Sequence, residues 1–214
     1  MATQLAAGAS ISISFPQTGG STDFPSKTGG LVSSFSTYGP SNDFFFKPAI
    51  SAPGGSILST FLVAQGGYAV LSGTSMATPF VAGASALLLQ VKGKSSAVTS
   101  SARTLFQTTS SYVGSSPNSD DPYQTVAQQG AGLINVYNAL KAKTIVSPGE
   151  LFLNDTSNFR PIQTFTVRNT GSSRKTYKLS HVPAGTALTI RAVSLLSTTC
   201  RYCLIDLQTG YSNG

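Results

Sequence analysis

The run Met76 to Val91, MATPFVAGASALLLQV, limits what this chain can fold into more than any other stretch. It is apolar nearly all round, and a helix without a polar face is buried on every side. Any fold that contains it must therefore set packing layers around it. Ala82, Gly83, Ala84 and Ala86 leave room for neighbouring backbones to come close. Pro79 is no obstacle, because N–H groups of a helix's first turn have no intrahelical acceptor. Lys92, Gly93 and Lys94 supply the stop signals of a C-terminus.

The surroundings of this helix read as short strands and turns on one side and further helices on the other. ASISISF at 9–15 alternates Ile11, Ile13 and Phe15 with serines, the period of a half-buried strand. A Gly- and Pro-rich loop follows. Strand-like runs LVSSFSTYGPS, FFFKPAISAPGGS, ILSTFLV and YAVLS then alternate with turns up to Ser72. A second helix is predicted over Ser95 to Thr108, with Val98, Ala102, Leu105 and Phe106 on one face. GAGLINVYNALKAK, entered through Gly130 and Gly132, reads as a third. After Lys143 the pattern changes to strands: ELFLN, IQTFTVRN, KTYKLSHV and TALTIRAV. Fewer residues follow than the ~100 of a complete β-sandwich.

Hydrophobic residues make up 40% and charged residues 10% of the 214, with 21 Gly and 11 Pro, which excludes a disordered chain. The net charge of +7 is unevenly placed, and Arg168, Arg174, Lys175 and Lys178 lie close together. No nucleic-acid motif accompanies them, so they read as a solvated strand face and no nucleic-acid partner is expected. Cys200 and Cys203 form one C-x-x-C pair with no second pair to complete a zinc site, and read as a chance pair. MATQLAAGASISISFP has neither the basic start nor the apolar core of a signal peptide. No run approaches the ~18 apolar residues of a membrane span, so no membrane partner is expected.

The chemistry points to Ser75. A helix N-terminus carries roughly half a positive charge and free N–H groups, which favour negative charge on Oγ and on a carbonyl oxygen under attack. Gly73 and Ala77 leave space for a substrate backbone. The plainer alternative is that Ser75 is an N-cap.

GTSMATP, Gly73 to Pro79, resembles the nucleophile motif of the subtilisin family of serine endopeptidases. The resemblance continues in SSFSTYGP, in KPAISAPGGSILST from Lys47 to Thr60, in YAVLSGTSMATPFVAGASALLL and in GAGLINVYNAL, all in the family's order. It implies a partial α/β fold, a parallel sheet with a buried central helix, over residues 31–143. It further implies Ser75 as nucleophile, Met76 as an oxidation-sensitive neighbour, protein or peptide substrates, and no metal or organic cofactor. SPGELFLNDTSNF with TFTVRNTG and TYKLSHVPAG resembles the start of the fibronectin-III-like sandwich of large secreted members, giving an incomplete antiparallel β-sandwich over 144–214. Residues 1–30 are similar to the end of a protease-associated insertion and a loop. Localisation is extracellular by this resemblance. Asn154-Asp155-Thr156 is then a glycosylation sequon.

A serine needs a base. In subtilisins the chain order is Asp, His, Ser, so both partners precede the serine. The only histidine here, His181, follows Ser75, and the acids before it, Asp23 and Asp43, lie in no strand-ending Asp-Ser/Thr-Gly motif. The family's oxyanion Asn also has no counterpart, which leaves the backbone N–H of Ser75. The expectation is a fragment, inactive alone and poorly folded for want of its N-terminal strands. Two rival readings stand beside it. One is an α/β-hydrolase-like esterase that uses Ser75, Asp120 or Asp121, and His181, in that fold's order. The other is a non-catalytic β-sandwich binding module. In the tail, STTCRYCLIDLQTGYSNG loses the family pattern, as a misread gene end would.

Overall fold

A computed structural model of the chain describes Ser26 and residues 28–155, 157–183 and 203–210; for 181–183 and 203–210 only the backbone is described. The strand expected at 9–15, Asp23, TALTIRAV and Cys200 lie outside these residues.

The run ILST, with β-branched Ile57 and Thr60 at its ends, forms β1 (Ile57–Thr60), which pairs antiparallel with β2 (Tyr68–Leu71) in the register Ile57↔Leu71 to Thr60↔Tyr68. A 3-10 turn over Val63–Gln65 closes the hairpin. Four helices follow: α1 (Thr74–Lys92), α2 (Ser96–Thr109), α3 (Val126–Gln129) and α4 (Val136–Lys141). Gly93, at φ 100, ends α1 with its N–H on the Leu89 carbonyl. Ser95 caps α2 by accepting from Val98 N at 3.3 Å, so the helix begins one residue after its predicted start.

The core is the meeting of α1, α2 and α4. Ala84, Leu88, Leu105, Phe106, Ile134 and Ala139 are buried together, with Val81, Val98 and Ala102 packed against them. All four residues assigned to the inner face of α2 by periodicity thus bear on the core. The 3.6-residue period leaves little freedom once Leu105 and Phe106 are placed.

Helix α1 departs from its reading. It was expected to be buried on all sides, yet only Ala84 and Leu88 are buried, and Phe80, Leu87 and Val91 are 43%, 47% and 61% exposed. Among the described residues, α2 and α4 cover one side and no layer covers the other. At 19 residues and mean hydropathy 1.3, α1 is also long and apolar enough to cross a membrane by length and composition, contrary to the expectation that no run approaches that length. Its polar residues interrupt the run without lowering the mean far. Two of their hydroxyls return to carbonyls one turn back, Thr78 to Thr74 at 3.0 Å and Ser85 to Val81 at 2.8 Å.

The third predicted helix starts late. Gly130 and Ala131 form a turn and Gly132 to Ile134 is not helical, with Gly130 at φ 65 and Gly132 at φ 117. A side chain at Gly132 would lie 2.3 Å from the Ser111 carbonyl oxygen, so this segment is pressed between its neighbours. Leu133 bridges Ser51 in parallel and Ser111 in antiparallel. Helix α4 forms only once Asn135 caps it, accepting from Asn138 N at 2.9 Å.

Beyond residue 143, β3 (Thr144–Ser147) pairs antiparallel with β4 (Thr166–Asn169), and β5 (Thr176–Pro183) with β6 (Cys203–Gly210). The ELFLN segment is not a strand. Its Phe152 ring packs on Phe45 and Phe46 at 5.5 and 5.3 Å, while Glu150 accepts from Arg103 and Gln107 of α2. Cys203 opens β6, and part of the unpatterned tail is thereby hydrogen-bonded. Helices with small sheets agree with a partial α/β fold, although among the described residues parallel pairing is confined to the Ser51↔Leu133 bridge.

Candidate active site

Strand β2 delivers the chain to Ser72 and Gly73, and the helix begins at Thr74. Gly73 is the N-cap residue and uses no side chain for it. Ser75 is therefore the second helical residue, and the N-cap alternative for it does not hold. Its side chain is exposed, and neither its hydroxyl nor its amide makes a hydrogen bond among the described residues. The Met76 amide turns back to the Gly73 carbonyl at 3.1 Å. An unengaged hydroxyl thus stands at the positive end of a 19-residue helix beside a free backbone donor.

Two contacts fix this helix start. The Gly73 amide donates to the Gly54 carbonyl at 2.8 Å, and the Ser56 amide donates to Ser72 Oγ at 2.8 Å. Gly54 sits so close that a Cβ there would be 2.7 Å from the Gly73 carbonyl oxygen and 3.2 Å from Ala77 Cβ. The turn in SAPGGS is pressed directly against the serine's helix. Sequence reasoning matched that turn to the family without seeing what it holds. Gly at 54 beside Gly at 73 was the available signal, since two backbones approach this closely only where side chains are absent.

A second polar centre went unnoticed. Gln129 is completely buried; its Oε1 accepts from Val113 N at 2.8 Å and its Nε2 donates to the Gln124 carbonyl. Its own carbonyl accepts from Ser51 Oγ at 2.9 Å. A four-residue helix is too short to show a period, so nothing in the sequence marked Gln129.

The partners of the rival triad are placed elsewhere. Asp121 is held in its own turn, accepting from Ser116 Oγ, and the Asp120 amide donates to Asn118 Oδ1 at 3.2 Å. His181 lies in β5 opposite Ile205. Asp43 is exposed on the loop before the SAPGGS turn. Two shallow cavities, of about 270 and 320 Å³, are lined around Asp43 and Asp155 and around Arg103 and Glu150, and neither includes Ser75. Among the described residues no three His, Cys, Asp or Glu side chains gather as a metal site would require.

Comparison with known proteins shows the family. The sequence profile of the subtilase family matches residues 3–135. The minor extracellular protease Vpr of Bacillus subtilis (strain 168) is 36% identical over 181 residues, 78% of this chain and 21% of that protein. The PII-type proteinase of Lactococcus lactis subsp. cremoris is 38% identical over 128 residues, 52% of this chain and 6% of its own length. A C5a peptidase of Streptococcus pyogenes is 50% identical over 64 residues, 30% of this chain and 5% of its own length. The chain thus spans about a fifth or less of these relatives.

Proposed function

The chain belongs to the subtilase family, and from that premise we propose that it contributes the nucleophile of a serine endopeptidase. Ser75 Oγ attacks the scissile carbonyl carbon as its proton passes to a base, the base returns that proton to the amine as the C–N bond breaks, and water then hydrolyses the acyl-enzyme. The Ser75 amide is one donor to the oxyanion. The observation that carries this reading is the exposed, unbonded Ser75 hydroxyl at the N-terminus of α1, within the motif GTSMATP. Substrates are proteins or peptides in an extracellular setting, with no cofactor in the reaction. Residues 144–214 are read as the start of a fibronectin-III-like sandwich, following the catalytic segment 31–143.

No residue of these 214 is in the family's position for the base or its orienting acid, so the chain by itself does not hydrolyse peptides. The test is a chimera in which residues 31–141 replace their counterpart in the Bacillus subtilis relative. The chimera is expected to digest casein and to take up a fluorophosphonate at Ser75. Ser75→Ala should lower turnover by about 10⁶-fold, the loss known from subtilisin itself. A folded chimera whose activity survives Ser75→Ala would sink the assignment.

A further inference from the structure

The N-terminus of α1 is held without a side-chain cap. Gly73 occupies the N-cap position and offers the helix no acceptor beyond its backbone. An ordinary cap, Ser or Asp, accepts from the amide of the second or third helical residue. Those residues are Ser75 and Met76, and the Met76 amide already donates to the Gly73 carbonyl at 3.1 Å. A capping side chain at 73 would therefore take the Ser75 amide, the donor that the oxyanion needs. There is room for one: a Cβ on Gly73 would lie 3.7 Å from the Ser75 nitrogen and 3.4 Å from Met76 Sδ. Its φ of 165° is extended backbone that any residue adopts. The bare glycine thus keeps the donor free, and the start of the helix must be steadied from elsewhere.

Ser72, one residue earlier, does this. Strand β2 ends at Leu71, so the sheet register does not reach Ser72. Its hydroxyl is engaged with the turn before β1, accepting from the Ser56 amide at 2.8 Å. Ser56 stands at φ 53, in the left-handed region that few non-glycine residues occupy. Such a conformation persists only where the surroundings impose it. With the Gly73 amide on the Gly54 carbonyl at 2.8 Å, the Ser72 bond ties residues 54–56 to 72–73. Of these two ties, only the one from Ser72 depends on a side chain.

We propose that Ser72 is a positioning residue for Ser75. Its hydroxyl pins the chain entering α1 to the SAPGGS turn, as an N-cap would, without taking the oxyanion donor. The inference rests on the reading of Ser75 as nucleophile. Its test uses Ser72→Ala, Ser72→Thr and a swap, Ser72→Ala with Gly73→Ser. In the full chain, hydrogen exchange at the Ser56 amide should quicken about 5- to 10-fold in Ser72→Ala, the loss of one hydrogen bond, and keep the parent rate in Ser72→Thr. In the chimera with the Bacillus subtilis relative, Ser72→Ala should lower kcat by about 10- to 100-fold at unchanged KM, as a displaced nucleophile does. Ser72→Thr should restore it. The swap should bring back the urea midpoint lost in Ser72→Ala yet leave kcat low, because the new cap occupies the Ser75 amide. Recovery of kcat together with the midpoint would refute the proposal, since helix stability alone would then suffice. Parent-like turnover in Ser72→Ala, or unchanged exchange at Ser56, would refute it equally. Turnover that survives Ser75→Ala would remove the nucleophile reading and this inference with it, a failure told apart by exchange at Ser56 that still depends on Ser72.

Discussion

Replacing Gly54 by Ala tests whether the SAPGGS turn positions the nucleophile's helix. The new methyl would sit 2.7 Å from the Gly73 carbonyl oxygen, about 0.7 Å inside the 3.4 Å at which ordinary contact begins. The opposing atom is backbone, so the turn and the helix start must separate rather than a flexible side chain moving aside. Overpacking of this kind costs about 1–3 kcal/mol. Separation also weakens the 2.8 Å bond from the Gly73 amide to the Gly54 carbonyl, worth about 1 kcal/mol. The combined cost is about 2–4 kcal/mol, or roughly a 4–16 °C fall in Tm for a chain of this size. The neighbouring Gly55→Ala is the internal control, since its Cβ would meet only Ser33 Oγ at an ordinary 3.5 Å. Urea unfolding followed by helical circular dichroism reads both variants. In the chimera, Gly54→Ala should also slow fluorophosphonate labelling of Ser75. If Gly54→Ala and Gly55→Ala unfold at the same urea concentration, the close approach is not what holds the helix start.

Further outcomes follow from the same reasoning. Leu88→Ala, at a fully buried site, should cost about 2–5 kcal/mol, whereas Leu87→Ala, on the uncovered face, should cost well under 1 kcal/mol by urea titration. Gln129→Ala leaves the Val113 amide without its buried acceptor and should cost about 1–3 kcal/mol. A Phe80→Gln, Val91→Gln double variant should raise the concentration at which light scattering begins while shifting unfolding by no more than about 0.5 kcal/mol, because both side chains face outward. Arg103→Gln should cost only about 0.2–1 kcal/mol, falling further in high salt, since the Arg103 side chain is 51% exposed.

Local features were legible and non-local ones were not. Helix α2 could be read to within a residue because its inner face repeats at the helical period and Ser95 is a strong cap. The placement of Ser75 at a helix mouth followed from a small-residue turn and the apolar run after it. That same run misled on burial, since an apolar circumference says that a helix needs neighbours without saying which residues supply them. GAGLIN was read as the entry to a helix through Gly130 and Gly132. The close approach of the Ser111 carbonyl to Gly132 is a tertiary fact that no window of sequence contains. The basic cluster from Arg168 to Lys178 was visible because its members are neighbours in sequence, whereas the reach of Lys92 to the Ala142 carbonyl exists only through the fold.

The reach of Gln129 has a kinetic consequence. Its side chain closes a loop back to Val113, while its carbonyl meets Ser51 across 78 positions of sequence. Contacts of such separation incur their closure entropy before they return anything, so they form late. The expected order is helices and the β1–β2 hairpin first, then the joining of 48–51 to 129–134. A substitution at Gln129 should therefore leave the refolding rate almost unchanged and accelerate unfolding, with a φ-value near zero. A value near one would mean that this buried amide belongs to the nucleus, and that the chain begins to fold from a long-range contact.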